Sequence, residues 1–116
     1  MPDARLYHNA DCSKCRAALA LLLERGVDVE VVSYLEHPPT IDELRTLVRR
    51  LGVPAAALVR SAELDGHGAS PAAPGVDEDT ILQALAASPR RLQRPILVVG
   101  DRAVIARPPE RVLELL

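Results

Sequence analysis

Residues 5–33 read RLYHNADCSKCRAALALLLERGVDVEVVS, and this stretch decides the fold. Arg5 to His8 predicts a short strand, and Asn9-Ala10-Asp11 a tight loop. From Ser13 to about Arg25 the residues are strong helix formers, stopped at Gly26, with Leu19, Leu22 and Leu23 at core spacing. Val29 to Ser33 (VEVVS) is a nearly all-apolar run of the kind expected of a buried parallel strand. The order is β–α–β, with Cys12 and Cys15 at the strand-to-helix handover. Cys12 therefore falls at or next to a helix N-terminus, where unpaired N–H groups and the positive end of the macrodipole favour an anion. A thiolate is such an anion. Placement of this kind lowers a cysteine pKa from about 8.5 into a range of roughly 3.5–7.5, which makes Cys12 the expected nucleophile.

The rest of the chain extends the pattern. His37-Pro38-Pro39 breaks the chain, and Thr40-Ile41-Asp42-Glu43 fits a capping box. That box opens a helix through Leu44, Leu47, Val48 and Leu51 to Gly52, and a short helical stretch follows from Pro54 to Val59. Residues Asp65 to Val76 (DGHGASPAAPGV) predict an irregular loop. Another helix is expected near Glu78 to Ala87, ended by Ser88-Pro89. Pro95 to Val99, Gly100-Asp101, and Arg102 to Ile105 read as a β-hairpin, with Gly-X as a type II′ turn signal. Pro108-Pro109 opens a last short helix carrying Val112, Leu113 and Leu116. The fold class is therefore α/β: a mixed four-stranded sheet with flanking helices and a helical insertion at about 40–87. A Cys-x-x-Cys after the first strand of a βαβ unit is the redox position of the thioredoxin-like fold. One domain spanning residues 1–116 is expected.

Composition narrows the function. A net charge of -2 argues against a nucleic-acid or acidic-membrane binder. Aromatics are 2% of the chain, with no Phe or Trp, so no base-stacking platform is available and the core is aliphatic. No apolar run approaches the roughly 18 residues that span a bilayer. The opening MPDARLYHNADC lacks a signal-peptide layout, so a cytoplasmic location is expected. There a close cysteine pair reads as redox-active or metal-binding rather than structural. A second cysteine pair is absent, and His8, His37 and His67 are not at ligand spacing, so no metal is expected.

Further stretches carry a family resemblance. Tyr7-His8-Asn9 stands with Cys12 and Arg16; Tyr34-Leu35-Glu36 with Pro38-Pro39-Thr40 and Asp42-Glu43-Leu44. Leu58-Val59-Arg60, Arg94-Pro95-Ile96 and Ala106-Arg107-Pro108 follow in order. Together they resemble the arsenate reductases that use glutathione and glutaredoxin, a family related to Spx-type regulators that bind RNA polymerase. The resemblance implies Cys12 as nucleophile, and Arg60, Arg94 and Arg107 as the oxyanion site. Planar guanidinium groups can neutralise an oxyanion bidentately while a thiolate approaches it. It implies arsenate as substrate, glutathione as co-substrate, no bound cofactor, and glutaredoxin or thioredoxin as recycling partner. By analogy with thioredoxin-like folds, the Arg94–Pro95 bond is expected to be cis.

Cys15 departs from that pattern, since Ser or another small residue is frequent there. It reads either as a resolving thiol one turn along the helix or as a small buried residue. His8 reads either as a strand-end residue or as a group that tunes Cys12. Arg16 reads as an anion partner or a local cap, and Lys14 by default as a solvated cation. Two other functions share these residues: a glutathione-dependent thiol–disulfide reductase, and a redox-sensing regulator of the Spx type.

Overall fold

The βαβ unit forms over the expected residues: β1 (Ala4–His8), α1 (Ser13–Glu24) and β2 (Val29–Ser33). The structure, a computed structural model, describes residues 4–59 and 77–116. Arg60 and the Gly/Pro/Ala-rich stretch at 65–76 lie outside the described residues. The chain divides into two compact units, residues 1–37 with 94–116, and residues 38–93.

In the first unit, β3 (Ile96–Val99) and β4 (Arg102–Ile105) complete a sheet of order β2-β1-β3-β4. β2 runs parallel to β1; β3 is antiparallel to β1, and β4 to β3. The hairpin turns at Gly100, whose φ of +61 is what a Gly-X turn needs at its first central position. Leu6, Leu97 and Val104 are register neighbours across three strands. With Ala4, Ala18, Leu22, Ala106 and Val112 they make a core built without a large aromatic. The hydrophobic term is carried by branched aliphatics instead.

The register has one consequence for function. His8, last in β1, lies opposite Ser33, last in β2. Tyr7 pairs with Ile96, first in β3, and Ile96 pairs with Ile105, last in β4. The loop after β1, Tyr34 after β2, Arg94-Pro95 before β3, and Ala106-Arg107 after β4 therefore all leave one edge of the sheet.

Two expectations are corrected. β2 is not buried: it is an edge strand, and Val31 is 43% exposed. The buried stripe of α1 is Cys15, Ala18 and Leu22, while Leu19 is only half-buried and Leu23 is 60% exposed. Positions 15, 18 and 22 lie on one helical face, and Leu23 falls about 100° away from Leu22. The C-terminal segment Pro109–Leu115 is a 3-10 helix; Val112 is buried and Leu116 exposed.

In the second unit, α2 (Ile41–Leu51) has the full capping box. Thr40 Oγ1 accepts from the Glu43 N–H at 3.1 Å, and Glu43 Oε1 from the Thr40 N–H at 3.3 Å. Leu44, Leu47 and Val48 are buried, and Gly52 closes the helix in the left-handed region at φ +67. Residues Ala55–Leu58 form a 3-10 turn. α3 (Glu78–Ala87) is capped by Asp77, whose carboxylate accepts from the Thr80 N–H at 2.8 Å. It buries Ile81, Leu82 and Leu85.

The α1 correction sets a stability contrast. Leu22→Ala is expected to cost about 2–5 kcal/mol, as for a fully buried leucine. Leu23→Ala should stay within about 0.5 kcal/mol. Urea denaturation of the two variants measures both.

Candidate active site

The loop between β1 and α1 is held by its own polar groups. Asn9 Oδ1 accepts from the Asp11 N–H at 3.0 Å, and the Asn9 carbonyl accepts from the Cys12 N–H at 2.9 Å. Arg16 reaches back from α1 and donates to the Ala10 carbonyl at 2.7 Å, so its role is a local cap. Cys12 is thereby fixed as the N-cap of α1, with extended backbone (φ -96, ψ 121). No acidic side chain stands in the first turn to neutralise the helix end.

This placement acts on the thiol. Burial works against the Cys12 thiolate, but four donors outweigh it: the Cys15 N–H, the Cys15 thiol, the Arg94 guanidinium and the Lys14 N–H. Cys12 is held below the ordinary thiol pKa, and its side chain is only half-buried. Cys15 is opposite in character. It is 0% exposed, and burial, reinforced by the hydrogen bond and the charge of Cys12, pushes its thiol up to about 11. At neutral pH Cys15 is a hydrogen-bond donor to Cys12 rather than a competing nucleophile.

Arg94 is 8% exposed, and its Nε and Nη1 have no hydrogen-bond partner. Its carbonyl accepts from Arg107 Nε at 2.6 Å, so the main chain of one arginine orients the side chain of the other. Both arginines precede a proline through a cis peptide bond; Arg94–Pro95 was expected, Arg107–Pro108 was not. Among the described residues neither guanidinium is paired with a carboxylate.

His8 is buried at the end of β1 with Nδ1 unpartnered. Burial, then the charge of Arg16, hold it below the ordinary imidazole value, with a backbone contact of Cys15 working the other way. It is neutral at pH 7 and so adds no positive charge beside Cys12.

The structure therefore brings Cys12, Cys15 and Arg94 together, sets the Arg107 side chain on the Arg94 carbonyl, and leaves His8 at the base of the loop; Arg60 lies outside the described residues. Sequence reasoning passed over Tyr34 as a site residue. It is wholly buried with an unpartnered hydroxyl, within electrostatic reach of Arg94 and both cysteines. The available signal was its rarity: one of two tyrosines in the chain, directly after β2. A depressed thiol beside a buried cation with free donors can bind an anion and attack its central atom. Among the described residues, no group of three or more His, Cys, Asp or Glu is placed to hold a metal, and no helix is long and apolar enough to cross a membrane.

Known proteins share this fold and much of this sequence. The model of the ArsC family matches residues 7–115. An arsenate reductase of Neisseria meningitidis serogroup B is 38% identical over 120 residues, covering 97% of this chain and 97% of that protein. YfgD of Escherichia coli K12, described as uncharacterised, is 42% identical over 114 residues, covering 97% and 96%. The solved structure of an arsenate reductase from Vibrio cholerae superposes with a TM-score of 0.87 at 36% identity, covering 99% of this chain and 98% of that one.

Two titrations check the electrostatics. Alkylation by iodoacetamide should label Cys12 alone below pH 9, with a midpoint under that of a free thiol, and Arg94→Gln should move the midpoint upward. Stability should fall as pH rises from 9.0 toward about 11, because the unfolded chain releases the Cys15 proton in that window and the folded one keeps it. Cys12 contributes the opposite sign, a stabilisation present above pH 9.0 and lost as pH falls through its lower folded value. Urea midpoints against pH, with Cys15→Ala flattening the alkaline decline, report the first of these.

Proposed function

The chain belongs to the ArsC family, and from that premise we propose that it is an oxidoreductase reducing arsenate to arsenite with thiols as the electron source. The observation that supports this most is the Arg94 guanidinium, buried with two donors unpartnered beside a Cys12 thiol held below its ordinary pKa. Such a pair balances its own charges and still has guanidinium donors left for an added anion.

In this reading Arg94 and Arg107 take the oxygens of arsenate, and the resemblance adds Arg60 to them. The Cys12 sulfur attacks arsenic, an As–S bond forms, and one arsenic oxygen leaves as water after taking two protons. A glutathione thiolate then attacks the Cys12 sulfur. The As–S electron pair stays on arsenic, which falls from As(V) to As(III) and departs as arsenite, and a Cys12–glutathione disulfide remains. Glutaredoxin reduces that disulfide. Alternatively Cys15 displaces glutathione, giving an internal Cys12–Cys15 disulfide open to thioredoxin. His8, neutral and buried, tunes Cys12 through its dipole rather than through a charge. A cytoplasmic thiol pool supplies the electrons.

The test is arsenate-dependent NADPH oxidation with glutathione, glutaredoxin and glutathione reductase, beside the same assay with thioredoxin and thioredoxin reductase. Cys12→Ser should abolish both. Arg94→Lys should lower kcat/KM by about 10²-fold through loss of the planar fork. Cys15→Ser should keep most glutaredoxin-coupled turnover and lose the thioredoxin-coupled rate. Full turnover by Cys12→Ser would sink the reading.

A further inference from the structure

Tyr34 is the largest wholly buried side chain of the described residues, and its hydroxyl has no hydrogen-bond partner. Phenylalanine would fill the same space without that cost, because a buried hydroxyl left unpaired is destabilising. Packing thus accounts for the ring and leaves the oxygen unexplained. Native structures rarely leave such a group unsatisfied unless something else meets it.

Its surroundings indicate what that is. Tyr34 follows β2 at the sheet edge from which the Cys12 loop and Arg94 also emerge. Arg94, Cys15 and Cys12 all lie within electrostatic reach of the phenol. The Asn9 side chain stands beside it without reaching hydrogen-bond geometry. Asn9 Oδ1 is already taken by the Asp11 N–H at 3.0 Å, so the amide has its N–H groups to offer Tyr34. An amide N–H can only donate toward the phenolic oxygen, so Asn9 offers nothing to take the phenolic proton. Burial and the neighbouring thiols keep the hydroxyl protonated, its pKa pushed up to about 12, so at neutral pH it remains a donor. Three buried donors near the nucleophile are then unpartnered: the Tyr34 hydroxyl, Arg94 Nε and Arg94 Nη1. One tetrahedral oxyanion has enough acceptor oxygens for all three.

We propose that Tyr34 is a further substrate-binding residue, whose hydroxyl donates a hydrogen bond to an oxygen of the oxyanion held by Arg94 within reach of Cys12. The inference rests on the arsenate reading for the identity of the oxyanion, not for its binding.

Tyr34→Phe tests it, because a binding role and a structural role predict opposite signs. A binding hydroxyl is lost from the complex, so kcat/KM for arsenate should fall about 10- to 100-fold, mostly through KM, as for a hydrogen bond to a charged group. The same variant should melt at or above the wild-type temperature, since it removes a buried unpaired group. Turnover within twofold of wild type overturns the proposal, as does a lowered Tm, which marks the hydroxyl as structural. A second measurement separates this failure from failure of the arsenate reading. Phosphate, which accepts no thiolate, should slow iodoacetamide labelling of Cys12 in the wild type and do so only at higher concentration in Tyr34→Phe. If the wild type protects Cys12 with phosphate but does not turn over arsenate, the substrate assignment fails and the protection shift still decides Tyr34. Equal protection in both proteins, or none in either, overturns the proposal.

Discussion

The interaction on which the site depends is between the Cys12 sulfur and the buried guanidinium of Arg94. A cation taken out of water without a counter-charge is costly by several kcal/mol, and no carboxylate pairs with Arg94 among the described residues. The thiolate is the nearby group able to balance it, and the guanidinium in turn holds the thiol below its ordinary pKa. Each half of the pair is tolerable because of the other, and both retain capacity for a third charge. Nε and Nη1 of Arg94 stay unpartnered, so the pair is poised for an added anion rather than closed on itself.

That poise is possible because the polar irregularities are gathered at one edge of the sheet. Along the strands the structure follows ordinary rules, with Leu6, Leu97 and Val104 in register and Ala18 and Leu22 packed over them. The helices of residues 38–93 close their ends with side-chain caps at Thr40 and Asp77. In the unit of the sheet the unpartnered buried atoms among the described residues belong to His8, Tyr34 and Arg94, and all three stand where strands begin or end; Arg45 Nε, in α2, is the one found elsewhere. Local rules broken together at one place mark a functional site more strongly than any one of them does.

How much of this was legible in sequence follows from which forces are local. The start of α1 at Cys12, the Thr40–Glu43 box and the Gly100 turn are short-range chemistry, and each lies where its residues indicate. Leu23 misled because spacing alone treats leucines as equal, whereas only one face of α1 is buried. Cys15, Ala18 and Leu22 share the buried face, and Leu23 lies off it. The VEVVS run was read as buried because its composition is the same at an edge as at the centre; only the pairing order separates the two. Arg94 and Arg107 were legible only by resemblance, since nothing local to either sequence says that one guanidinium bonds the carbonyl of the other. Tyr34 escaped because an orphaned hydroxyl is a property of surroundings, not of sequence.

Cys15 shows how packing and chemistry share one position. It belongs to the buried stripe of α1 with Ala18 and Leu22, so the residue there must be small. It is also where α1 turns a backbone N–H and a side-chain donor toward Cys12. Serine would meet both demands, but it could not form a disulfide. Burial raises the Cys15 pKa most, and the hydrogen bond and negative charge of Cys12 raise it further, against the lowering effect of Arg94. In the proposed cycle, once the Cys12 sulfur is joined to glutathione its own charge is gone, and both of its contributions disappear with it. What remains is burial opposed by the Asn9 backbone hydrogen bond and the Arg94 cation, which in that reading moves Cys15 toward the thiolate at the step where a second nucleophile is useful. In the proposed cycle the same thiol therefore supports the Cys12 anion before attack and becomes more reactive after it.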